Sequence, residues 1–62
     1  MTLNDILAQF QQAVESQPNI SDEMRAWATS REAAQAYQDD PMRVHYTPYV
    51  WLVYRVQKEA NP

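Results

Sequence analysis

Arg43-Val-His-Tyr-Thr-Pro-Tyr-Val-Trp-Leu-Val-Tyr-Arg-Val-Gln57 is the stretch whose reading decides the fold. Taken with a period of two, it separates into unlike halves. The even positions, Val44, Tyr46, Pro48, Val50, Leu52, Tyr54 and Val56, carry no charge. The odd positions, Arg43, His45, Thr47, Tyr49, Trp51, Val53, Arg55 and Gln57, hold every charge in the stretch and two large aromatics. Alternation in β-branched and aromatic residues predicts a half-buried strand, because successive side chains point to opposite faces. Pro48 cannot donate to a ladder, so it belongs on an edge, at a bulge, or at a corner between two short strands.

A helix competes for the same residues. Thr47 is a suitable N-cap and Pro48 a suitable first residue, with an end near Glu59. Two features weigh against it. Of Tyr49, Val50, Trp51, Leu52, Val53 and Tyr54, all but leucine are better strand formers than helix formers. Such a helix would also be apolar all round, which a chain this short has little material to cover. The reading is therefore one or two strands over 43–57, followed by a frayed polar tail over 58–62.

Upstream, Asp39-Asp40-Pro41 reads as a stop and a turn. The alanine-rich run Arg31-Glu-Ala-Ala-Gln-Ala-Tyr37 predicts a helix over 30–38. The segment 21–29 is ambiguous. One reading is a single helix capped by Ser21 and running through it. The other makes Met24–Ala28 extended, with Thr29 capping the next helix and Glu32 closing a capping box. Thr29 and Ser30 favour the split, since both compete for backbone groups inside a helix. At the N-terminus, Leu3, Ile6, Leu7, Phe10 and Val14 fall on one helical stripe, which predicts an amphipathic helix over 3–16. Thr2 and Asp5 sit at capping-box spacing, and Pro18 ends the helix.

The expected fold is α+β: the N-terminal helix and a second short helix packed on a C-terminal strand or strand pair. The alternative is an all-α bundle of three helices. Either way the chain is one small domain. With 62 residues it buries only about 60% of its unfolded surface. Domains this small need a staple. There is no cysteine and one histidine, so disulfides, thiolate metal sites and His-rich metal sites are excluded. Self-association or binding to another protein remains, and a homodimer is expected, with a strand edge offering a symmetric contact.

The net charge is −3. It is unevenly spread. Residues 1–40 hold seven acidic and two basic side chains, net −5; residues 41–62 hold one acidic and three basic, net +2. An acidic chain argues against duplex binding, which needs a basic face. There is no glycine, and so no phosphate-cradling loop of the P-loop type. Asp39 and Asp40 read as a solvated turn rather than a catalytic pair. His45 has no nucleophile visibly paired with it. No cofactor is implied. No apolar run approaches a membrane span, and Met1-Thr-Leu-Asn-Asp lacks the features of a signal peptide. A cytoplasmic protein is expected.

Arg43, His45, Tyr49, Trp51 and Arg55, on the odd face, are the candidate partner-binding residues, because Trp, Tyr and Arg dominate interface hot spots. The expected function is a non-enzymatic regulator or inhibitor that binds a larger protein, its acidic body also suiting a basic groove on a nucleic-acid enzyme. The alternative is a single-stranded nucleic-acid binder that stacks bases on the same aromatics.

Overall fold

The computed structural model describes residues 1–60. Four helices and one 3-10 turn follow each other: α1 (Leu3–Glu15), α2 (Asp22–Ala28), α3 (Arg31–Asp39), the 3-10 turn (Pro41–His45) and α4 (Pro48–Ala60). Among the described residues there is no strand. The fold is all-α, which corrects the α+β expectation.

Local chemistry marks each boundary. Thr2 caps α1: its hydroxyl accepts from the Asp5 N–H at 3.2 Å, and the Asp5 carboxylate accepts from the Thr2 N–H at 3.4 Å. Ser21 caps α2 by accepting from the Met24 N–H. Thr29 and Ser30 then turn back on that helix, their hydroxyls donating to the carbonyls of Arg25 and Trp27 at 2.9 and 2.6 Å. Ser30, not Thr29, caps α3, accepting from the Ala33 N–H. The break is therefore where the two hydroxyls stand, but Met24–Ala28 is helical rather than extended.

The expected strand over 43–57 is replaced by the end of the 3-10 turn and most of α4. Thr47 accepts from the Val50 N–H at 3.3 Å, and Pro48 takes the first helical position, where its missing N–H costs nothing. Burial explains why the period of two misled. Pro48, Leu52 and Val56 are buried. Their spacing of four is a multiple of two, so they share a face in a strand and nearly so in a helix. Val50, Trp51 and Tyr54 distinguish the cases. Trp51 is 5% exposed, whereas Val50 and Tyr54 are 48% and 63% exposed. Lys58–Ala60 continue α4 instead of fraying, and residues 61–62 of the expected tail lie outside the described residues.

The core lies where α1 packs on α4 and α3. Ile6, Phe10, Ala13 and Val14 face Ala33, Ala34 and Tyr37 of α3 and Trp51, Leu52 and Val56 of α4. The alanines carry little side chain, so α3 can approach α1 closely and the space is left for the rings. Phe10 and Trp51 lie parallel, centroids 5.7 Å apart and planes at 7°. Tyr37 meets both edge-on, at 6.3 and 5.4 Å.

If Trp51 is a core residue, Trp51→Ala will lose about 3–5 kcal/mol. A domain this size has on the order of 5 kcal/mol to lose. Thermal unfolding followed by circular dichroism should therefore find Trp51→Ala as damaged as Leu52→Asp, with Tyr54→Ser close to the parent. A strand would reverse the first comparison, leaving Trp51→Ala stable.

Candidate functional site

Asp40 is the residue around which the outer surface is arranged. It ends α3 and begins the 3-10 turn. One carboxylate oxygen accepts from the Met42 N–H at 2.9 Å and caps the turn. The other accepts from the Trp51 indole N–H at 2.9 Å. Trp51 thus buries its rings among Phe10 and Tyr37 and still finds a partner for its one polar atom, as buried indoles must. Tyr37 ties down the far end of the turn. Its hydroxyl donates to the Tyr46 carbonyl at 2.6 Å, with the Arg43 carbonyl 3.3 Å away.

These bonds set a groove of about 270 Å³ between the 3-10 turn and α4, lined by Asp40, Met42, Tyr46, Trp51, Tyr54, Arg55 and Lys58. Met42, Tyr46 and Tyr54 are 47%, 40% and 63% exposed. Arg55 lies over two indoles, its guanidinium carbon 5.1 Å from the Trp51 ring centre and 5.6 Å from that of Trp27. Trp27 and Trp51 are themselves stacked at 6.5 Å. The Trp51 indole N–H holds the Asp40 carboxyl below the usual carboxylate range, helped by the Met42 N–H and by the charges of Arg55 and Arg43 and opposed by desolvation.

The five residues expected to share a binding face are divided by the helix. Arg43 and His45 are exposed in the 3-10 turn. Arg55 is exposed on α4, beside the groove. Tyr49 is half-buried against the core. Trp51 is in the core, so its outward-facing assignment is corrected. Asp40, Met42, Tyr46, Tyr54 and Lys58 lay outside the sequence-based site. A signal for two of them exists: Asp40-Pro41 is a cap followed by a first-turn proline, and Tyr54 lies off the 48/52/56 stripe once a helix is drawn. Among the described residues no group of three or more His, Asp or Glu side chains is placed to hold a metal, and no helix is long and apolar enough to cross a membrane.

Comparison with known proteins leaves this geometry to speak for itself: no family model, curated protein or solved structure matches the chain.

A carboxyl whose folded pKa is depressed contributes stability above its unfolded pKa, about 3.9, and loses it as pH falls through the lower folded value. Melting temperature should therefore drop in acid below about pH 4. Asp40→Asn keeps an oxygen for one of the two N–H groups but cannot titrate, so its curve should be flatter over that range. Parallel curves for parent and variant would show that Asp40 is not the group responsible.

Proposed function

We propose that this chain is a non-enzymatic protein-binding module, a small regulator or inhibitor in the cytoplasm, and that the groove between the 3-10 turn and α4 is its contact surface. The observation that carries the reading is the exposure of Met42, Tyr46 and Tyr54 beside Arg55. Large apolar and aromatic side chains left open next to an arginine are the composition of an interface centre rather than of an ordinary surface. The core does not need them, since Phe10, Tyr37, Trp51 and Leu52 already fill it.

The same side chains argue for a partner other than a second copy. The homodimer is expected from the chain's size and lack of staples; the strand edge that was to form its contact is absent, since the described residues contain no strand. A two-fold contact would pair two grooves of the same positive formal charge, which gives it no charge complementarity. Stacking of single-stranded bases on Tyr46 and Tyr54 is the rival use. It is disfavoured by the net charge of −5 over residues 1–40.

Tyr54→Ser and Met42→Ser test the surface without touching the core. Each should change stability by no more than about 0.5 kcal/mol. Together they should remove the proteins captured by the immobilised parent chain, identified by mass spectrometry. Undiminished capture by the folded double variant, or capture dominated by nucleic acid and abolished by moderate salt, would falsify the reading.

A further inference from the structure

Resting on that reading, we propose that the groove accepts an acidic segment of another protein, with the segment's side-chain carboxylates on Arg55 and Lys58 and an apolar side chain against Met42, Tyr46 and Tyr54. The ionised groups lining the groove are Asp40, Arg55 and Lys58. Both Asp40 oxygens are engaged from the rim, one by the Met42 N–H and the other by the Trp51 indole. Arg43 adds a second arginine to its surroundings. The groove lining therefore carries two cations against one carboxylate, a formal +1, although the chain as a whole is at −3.

Arg55 is suited to carboxylate in particular. A guanidinium held over indole faces keeps N–H donors for a ligand, and the guanidinium fork matches a carboxylate in bidentate geometry. The stacking also fixes the side chain beforehand, so less rotamer entropy is lost on binding. Lys58 follows three residues later, on the same side of α4. The three exposed apolar side chains supply the contact that surface charge pairs alone do not, since an exposed pair contributes little.

Charge decides between an acidic peptide and a nucleic acid. Two or three cations neutralise few phosphates, and the acidic α1–α3 body repels the rest of a polyanion. A short acidic segment is attracted to this end of the molecule and need not approach the other.

The test is fluorescence anisotropy with the full chain and three labelled probes. These are an end-blocked peptide of Glu-Glu-Leu repeats, the same peptide with Gln for Glu, and oligothymidylate. The Glu peptide should bind about fivefold more tightly than the Gln peptide, and the difference should shrink in salt. Lys58→Gln and Arg55→Gln should each weaken the Glu peptide and leave the Gln peptide unchanged. Lys58 is exposed and holds no ring, so its variant remains informative if loss of Arg55 disturbs the indoles. Equal binding of the two peptides overturns the carboxylate assignment while leaving an apolar protein-binding groove intact. Binding of neither peptide overturns it as well. Preference for oligothymidylate overturns both this inference and the protein-binding reading beneath it.

Discussion

The hydrogen bond from the Trp51 indole to Asp40, 2.9 Å long, is the constraint on which the rest depends. An indole is mostly hydrocarbon with one obligatory donor. Burying the rings against Phe10 is favourable only if the N–H is met. Asp40 meets it from the rim. Because Asp40 also caps the 3-10 turn, one carboxylate joins the end of α3, the turn and the middle of α4. The two short links on either side of the turn are thereby held without glycine or disulfide.

A chain of this size covers α4 on one side only. Alanines at 13, 28, 33 and 34 bring the helices close, and four aromatic rings fill what is left between them. Arg55 closes the top of that stack by lying over both indoles, so a charged residue contributes to covering the core while its head stays in water. The uncovered side of α4 is where Val50 and Tyr54 stand open. The surface proposed to bind a partner is thus a consequence of the same shortage of material that makes the core small.

The candidate site was only partly legible. Arg43, His45 and Arg55 are surface residues in a strand and in the observed turn and helix alike, because a strongly polar side chain resists burial in either. Trp51 was misplaced because parity put it opposite Leu52, whereas adjacent helical positions both reach a core that is wide enough. Met42, Tyr46 and Tyr54 were missed for the complementary reason. An apolar residue carries no mark of exposure, and these three are exposed only because the chain has nothing left to cover them.

By itself, the sequence determined what is local. The Thr2–Asp5 cap, the stripe from Leu3 to Val14, the break at Asp40-Pro41 and the absence of staples all follow from neighbouring residues, while Thr29 and Ser30 favoured a break without deciding it. It also contained both readings of 48–56, since residues four apart satisfy periods of two and, nearly, of 3.6. Only the tertiary structure chose between them. Propensity differences of a few tenths of a kcal/mol per residue favour a strand there. Against that, a helix places Trp51 and Leu52 together on Phe10 and brings the indole N–H to Asp40, a carboxylate eleven residues away. Burying two large side chains yields several kcal/mol, which exceeds the sum of those local preferences.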